Sequence, residues 1–204
     1  MKLYFSPGSC ALATHIALAE SGLPYEIEAV NLRVDPHTTA SGAVFTTINP
    51  KGYVPALVLD NGEILTEGQV LLQYVADQVP DKKLAPAAGT IARYRMMEWL
   101  SFISTEIHKA YKPLWMPTAS MEAKDAAWAQ LSRRFDYLNR ELSDKDYLLG
   151  AFSAADCYLF VTLSWADNAV IKRSIDGWTN LSAFMKRMKE RASVRKAMKE
   201  EGLL

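Results

Sequence analysis

Met1-Lys2-Leu3-Tyr4-Phe5-Ser6-Pro7-Gly8-Ser9-Cys10 opens the chain, followed by the apolar run Ala11–Ser21 and then Tyr25–Leu32. The spacing predicts a strand over Lys2–Ser6, a turn at Ser6-Pro7-Gly8-Ser9, and a helix over 11–21 closed by Gly22 and Pro24. A second strand over Tyr25–Leu32 completes a β-α-β unit, whose short strands pair in parallel through a right-handed crossover. Further on, Ala56-Leu57-Val58-Leu59 and Ile64-Leu65 flank Asp60-Asn61-Gly62-Glu63. Asn-Gly between two apolar runs signals a hairpin, because both residues tolerate positive φ. Thr66 with Gln69 three residues on has the form of a helix capping box, ahead of Val70, Leu71, Tyr74 and Val75. The first 80 residues are thus β-α-β, a variable stretch, then β-β-α.

Beyond residue 80 the pattern changes. Residues 81–89 form a linker, and 90–204 read as helices near 90–112, 121–143, 154–169, 178–191 and 193–200. Ser153 with Asp156 supplies a second capping signal, just before the apolar run Cys157–Val161. Charge divides in the same place. Residues 1–80 hold three Lys/Arg against eight Asp/Glu, whereas the whole 204-residue chain has 23 of each. Halves of opposite sign suit packing against each other, within or between subunits, and equally suit two ordinary solvated surfaces.

Composition excludes several classes. Half of the residues are hydrophobic and 23% are charged, an ordinary globular balance that does not need metal or disulfide staples. A net charge of zero argues against a nucleic-acid binder, which needs a basic footprint. No apolar run has transmembrane length, and the N-terminus lacks a signal-peptide pattern. Two widely separated cysteines are no disulfide framework. The expectation is a reduced, cytoplasmic protein away from membranes. There is no zinc or calcium spacing and no Gly-rich phosphate loop, so no metal is expected.

Cys10 is the most chemically suggestive residue. A cysteine at the start of a helix faces N–H groups and partial positive charge, which lower a thiol pKa and create a nucleophile. A buried, inert thiol is the alternative. Position 13 is Ala, so any redox chemistry at Cys10 is that of a single thiol. Val54-Pro55 before a strand suits either a plain turn or a cis bond that leaves the Val54 backbone open at a sheet edge for an extended peptide. Glu67-Gly68 opens a helix whose N–H groups suit a carboxylate, while Glu67 suits an amine; helix-dipole preference alone also explains a glutamate there. Spacings of three and four place Glu98, Ser101, Thr105, His108 and Lys112 on one helix face. His108 is either a hydrogen-bond donor to a ligand or a structural histidine, and His15, among apolar residues, reads as packing. Tyr111, Leu114, Trp115, Met116 and Trp165 form either an apolar pocket or core.

Together these features resemble the glutathione transferases, most closely the bacterial beta class. The resemblance runs the length of the chain. It rests on Met1–Cys10, Ile48-Asn49-Pro50-Lys51-Gly52-Tyr53-Val54-Pro55-Ala56-Leu57, Leu65-Thr66-Glu67-Gly68, Glu98-Trp99-Leu100 through Glu106-Ile107-His108-Lys109, and Phe152-Ser153-Ala154-Ala155-Asp156. It implies an α/β thioredoxin-like first domain over 1–80, an all-α second domain over 90–204, and a homodimer with the site between the two domains. It implies glutathione as co-substrate and an apolar electrophile as partner, in detoxification chemistry. Carried over by residue, Cys10 and His108 are catalytic. Cys10, Val54, cis-Pro55, Glu67, Gly68, Ser101, Thr105, Glu106, Ile107 and His108 contact glutathione. Phe5, Tyr111, Trp115 and Trp165 line the electrophile pocket.

Two departures stand out. Phe5 replaces a usual tyrosine, and Leu32–Thr39 replaces a lysine-bearing segment, leaving Arg33, His37 or Lys51 as candidates for the glycine carboxylate. Two rival readings accompany conjugation. One is monothiol disulfide or dehydroascorbate reduction, or dehalogenation, through a Cys10 mixed disulfide. The other is a non-catalytic ligand- or partner-binding module.

Overall fold

The computed structural model describes residues 1–204, which divide into two compact units: Met1–Leu84 with Arg191–Leu204, and Ala85–Glu190.

The first unit is built on a five-stranded mixed sheet in the order β3-β2-β1-β4-β5. Its strands are β1 (Lys2–Phe5), β2 (Glu26–Asn31), β3 (Thr38–Thr39), β4 (Ala56–Val58) and β5 (Ile64–Thr66). As the β-α-β reading requires, β1 and β2 run parallel, with Lys2 opposite Glu26 and Phe5 opposite Ala29. β4 lies antiparallel to β1 and to β5. The Asn-Gly hairpin forms with a three-residue loop. Gly62 N–H donates to Leu59 O at 2.9 Å, Leu59 N–H donates to Glu63 O at 2.8 Å, and only Gly62 takes positive φ, at 85°. This is a turn followed by a left-handed glycine, so Asn61 does not need the conformation that the dipeptide rule assumes.

α1 (Ala11–Ser21) ends at Gly22, whose φ of 75° supplies the left-handed cap. Its sequence is apolar on nearly every side, and Ala11 through Leu18 are all buried. A helix without a polar face needs cover all round. α1 receives it from β1, from α2 (Gly68–Asp77) and from α8 (Ala192–Glu200).

The partnership with α8 corrects the expected division of the chain. Residues 191–204 belong to the first unit, not to an all-helical segment running to 204, and the boundary near residue 84 falls inside the expected linker. The cause is a polar clasp beneath an apolar contact. Val194 and Ala197 are fully buried. Arg191 and Ser193 both donate to the Glu20 carboxylate, Arg191 at 2.6 Å. His15 is wholly buried, with Nδ1 3.0 Å from Glu201 Oε1 and Nε2 2.8 Å from Glu200 Oε2. Tyr25 donates to Glu200 Oε2 at 3.0 Å. Burial works against the Glu200 charge, but His15, Tyr25 and Lys196 outweigh it and hold the carboxyl below its ordinary range. Glu201 also accepts the Gly8 N–H at 2.9 Å, which ties the chain end to the turn before Cys10. His15 is therefore buried as the sequence suggests, but as the hub of a clasp and not as apolar packing.

The second unit is helical: α3 (Ile91–Phe102), a π-helical turn at Ile103–His108, a 3₁₀ turn at Lys109–Tyr111, α4 (Lys112–Trp115), α5 (Met121–Glu141), α6 (Ala154–Ser164) and α7 (Thr179–Glu190). α6 is buried along almost its whole length. Its expected capping box forms. The fully buried Asp156 carboxylate accepts the Ser153 N–H at 2.8 Å, the Ser153 hydroxyl at 2.9 Å and the Leu148 N–H at 2.9 Å. Burial raises the Asp156 pKa to about 6, against the pull of those three donors. No helix is long and apolar enough to cross a membrane.

Candidate active site

Cys10 stands where the β1–α1 turn becomes helix. Gly8, at φ 70°, turns the chain, and Ser9 begins the helix by accepting the Ala11 N–H on Oγ at 3.3 Å and the Leu12 N–H on its carbonyl at 3.0 Å. Cys10 already has right-handed helical angles, φ −57° and ψ −19°, and is partly exposed. Its thiol therefore sits at the N-cap of an 11-residue helix, on the positive end of the dipole. The Sγ donates to Val54 O at 3.5 Å.

Val54 precedes a cis peptide to Pro55, as expected. Two parts of the expectation change. β4 is an inner strand of the sheet, and the Val54 carbonyl already accepts the Cys10 thiol. Val54 nonetheless lies before the first paired residue of β4, Ala56, and so beyond the end of both ladders.

Glu67, not Thr66, is the N-cap of α2. It holds φ 68° and ψ 105°, without a side-chain cap bond, while its carbonyl accepts the Val70 and Leu71 N–H groups. Thr66 is instead the last residue of β5, and its hydroxyl accepts from Lys51. Pairing with β4 keeps Thr66 extended in the strand, and so overrides the local capping pattern. The Glu67 Oε1 receives the Lys51 ammonium at 2.8 Å and the Tyr53 hydroxyl at 2.7 Å.

The three candidates for the glycine carboxylate part company. Lys51 is tied to Thr66 and Glu67. His37 Nδ1 is 2.8 Å from the Gly52 carbonyl. Arg33 lines a cavity of about 680 Å³ with Ser6, Pro7, Asn31, Leu32 and Thr39. Phe5 is 4% exposed, packed with Tyr4, Ala11, Val30, Phe45, Val54 and Ala56. Its ring belongs to the core and does not line an open pocket.

In the helical unit the π turn breaks the expected polar line. Five-residue bonding adds about one residue per turn, so spacings of three and four no longer share a face across it. Ser101, Thr105 and Lys112 are exposed, whereas His108 turns inward. Thr105 bonds the Ser101 carbonyl at 3.0 Å, Glu106 accepts Arg134 Nε at 2.9 Å, and the Ile107 side chain is fully buried in the core. His108 Nδ1 lies 2.6 Å from the Tyr158 hydroxyl, and its ring meets Trp165 edge-on at 4.8 Å. Burial, then the charge of Lys109, lowers the His108 pKa to about 4, so the ring is neutral at pH 7.

That shift has a testable sign. Between about pH 4 and the unfolded value near 6.5 the unfolded chain binds the extra proton, so this histidine's contribution to stability rises with pH and is lost on acidification. His108→Asn is expected to flatten the fall in denaturation midpoint between pH 6.5 and 4. An unchanged slope would contradict the buried, neutral ring.

Tyr158 went unnoticed in the sequence because it sits in an apolar helix. A lone hydroxyl-bearing aromatic in such a run was the available signal. Tyr111, Trp115 and Trp165 do come together, with Trp165 5.4 Å from Tyr111 and 6.1 Å from Trp115. Tyr111 and Trp165 are buried, however, so they form a packed cluster more than an open wall. The Tyr111 hydroxyl is buried without a hydrogen-bond partner. A separate cavity of about 530 Å³ in this unit is lined by Trp99, Phe102 and Tyr137 with Glu98 and Glu141. No group of three or more His, Cys, Asp or Glu converges on a metal-sized site.

Comparison with known proteins agrees along the whole chain. Residues 7–78 match the family described as glutathione S-transferase, N-terminal domain, and 121–187 match glutathione S-transferase, C-terminal domain. Glutathione S-transferase GstA of Escherichia coli O157:H7 is 43% identical over all of both chains. The solved bacterial beta class glutathione S-transferase of Sphingomonas chungbukensis superposes with a TM-score of 0.94 at 45% identity, covering all of both chains. A sphingomonad glutathione S-transferase complexed with glutathione gives 0.94 at 44%, again covering all of both chains.

Proposed function

The chain belongs to the glutathione S-transferase family, in its bacterial beta class, and from that premise we propose that it joins the thiolate of glutathione to apolar electrophiles. The observation that carries this reading is the junction of Cys10, Val54 and cis-Pro55 at the start of α1. It offers a polarised thiol beside a stretch of backbone lying beyond the end of its ladders.

In this reading the glutathione peptide runs along Val54 and Pro55, and Glu67 and Gly68 hold the γ-glutamyl head. Arg33 takes the glycine carboxylate, since His37 and Lys51 are engaged elsewhere. The glutathione sulfur lies by Cys10, where the dipole of α1 favours its ionised form. The thiolate attacks an electrophilic carbon, forms a thioether, and expels the leaving group with its electron pair. The family resemblance also assigns Ser101, Thr105, Glu106, Ile107 and His108 of the helical unit to glutathione, with the His108 ring set by Tyr158. Trp115, half-buried, supplies the apolar side for the electrophile, backed by the packed rings of Trp165 and Tyr111.

The test is wild-type turnover of a chloronitrobenzene with glutathione, beside calorimetric titration with glutathione. Saturable binding and turnover are expected; absence of both would bring the binding-module reading forward. A second reading, disulfide exchange through Cys10, is favoured by the partly exposed thiol, which is in no disulfide, with Ala at position 13. Cys10 thiolate would attack the glutathione sulfur of a mixed disulfide and expel the other sulfur as thiolate; a second glutathione thiolate would then attack the Cys10–glutathione disulfide, leaving as oxidised glutathione and returning Cys10 as thiolate.

We also place the protein in the cytoplasm, where both cysteines stay reduced, and as a homodimer. Ile91, Tyr94 and Met97 recur every three residues along α3 and are 75%, 57% and 40% exposed. An apolar stripe of that kind marks an association surface. Ile91→Asp with Tyr94→Asp is expected to turn a dimer into a monomer in sedimentation. A wild-type monomer, or a dimer indifferent to the substitutions, would count against it.

A further inference from the structure

We propose that Lys51 reads the α-carboxylate of the γ-glutamyl head group, so that Lys51 and Glu67 together select the zwitterion. The inference rests on the reading that the chain binds glutathione, and it moves Lys51 from the glycine end of the tripeptide to the opposite end.

Lys51 and Glu67 are 16 residues apart, and the hairpin brings them side by side. Lys51 Nζ lies 2.8 Å from Thr66 Oγ1 and 2.8 Å from Glu67 Oε1. The ammonium also sits 5.9 Å from the centre of the Tyr53 ring, and the Tyr53 hydroxyl donates to the same Glu67 oxygen at 2.7 Å. Both charges face solvent, at 47% and 48% side-chain exposure, so a ligand can reach them. Glu67 is held by backbone as well as by side chain. Its φ of 68° is unusual for a residue with a Cβ, and its carbonyl is fixed by the first turn of α2.

An ammonium has three donors. Thr66 and Glu67 take two, which leaves one for a ligand. The Glu67 carboxylate is an acceptor that a protonated amine can share with Lys51 and Tyr53. The site therefore presents a positive and a negative group in contact, beside the N-terminus of a ten-residue helix. An amino-acid head carries an amine and a carboxylate on one carbon, in the complementary arrangement. Its amine goes to Glu67 and its carboxylate to Lys51, with the α2 N–H groups adding to the second contact. A peptide lacking either charge leaves one member of the pair unanswered.

The experiment is calorimetric titration of wild type and Lys51→Met with three tripeptides. These are glutathione, the 4-aminobutanoyl analogue, which lacks only the α-carboxylate, and the glutaryl analogue, which lacks only the α-amine. Wild type is expected to prefer glutathione to the 4-aminobutanoyl analogue by about tenfold or more, the scale of one charge-assisted hydrogen bond. Lys51→Met should lose that preference and keep the preference over the glutaryl analogue, which Glu67 sets. Lys51→Arg should restore part of it. A tenfold preference that survives in Lys51→Met overturns the proposal. So does a parallel loss for all three ligands, which would make Lys51 a support for the loop. Wild type that binds none of them removes the glutathione reading itself, an outcome visible before any variant is made.

Discussion

Cys10→Ala is expected to abolish glutathione-dependent disulfide reduction while leaving conjugation within about tenfold of wild type. The two chemistries ask different things of the thiol. Disulfide exchange needs a sulfur at residue 10 that forms and breaks a covalent bond, and alanine removes it outright, so a loss of about a hundredfold or more is expected. Conjugation uses the sulfur of glutathione. There Cys10 contributes a hydrogen bond and a polarisable neighbour, and one neutral hydrogen bond is worth about 1 kcal/mol, less than a factor of ten in rate. The thiol's own bond to the Val54 carbonyl fits this supporting part, because Val54 is also where the peptide is proposed to run. Both assays should be run on one preparation, with intact mass after exposure to oxidised glutathione. Wild type should gain one glutathione and the variant none. If both activities collapse while glutathione still binds, Cys10 is central to conjugation as well. If nothing changes in any assay, Cys10 has no part in the chemistry.

Glu201→Ala should give the largest loss of stability. The Glu201 side chain is fully buried and joins three parts of the first unit: α1 through His15, the turn before Cys10 through the Gly8 N–H, and the end of α8. Removing one partner of a buried hydrogen bond leaves the other unsatisfied and costs about 1–3 kcal/mol. Here two groups lose their partner, His15 Nδ1 and the Gly8 N–H, while His15 keeps Glu200 on Nε2, so about 3 kcal/mol is the expectation. At roughly 2–4 °C per kcal/mol for a chain of this size, Tm should fall by about 10 °C. Glu201→Gln, which keeps an acceptor for Gly8, should lose less. A Tm within 1 °C of wild type for Glu201→Ala would show that the clasp is not structural. A fall in glutathione turnover beyond the loss of folded protein would show that the clasp also positions the Cys10 turn.

Much of the architecture was legible in the residues. The β-α-β start, the Asn-Gly hairpin, the extent of α1, the Ser153/Asp156 box and the family motifs all rest on neighbours a few positions apart. The misreadings share one cause. Thr66 has every local mark of a cap, yet strand pairing kept it extended. The line from Glu98 to Lys112 assumed a uniform helix, and the π turn rotated His108 away from it. Residues 191–204 have the amphipathic pattern of any helix, and nothing local says which unit it covers.

What the sequence by itself determined is the set of elements, the family and the residue types at the candidate site, because helix periodicity, turns and caps are set by contacts within one or two turns of chain. What only the tertiary structure decided is how those residues are partnered. Cys10 meets Val54 across 44 positions, His108 meets Tyr158 across 50, and His15 meets Glu201 across 186. Such pairs follow from which faces the packed sheet and helices bring together, and it is they that set which partners a histidine has, which carbonyl a thiol meets and which charge stands beside Glu67.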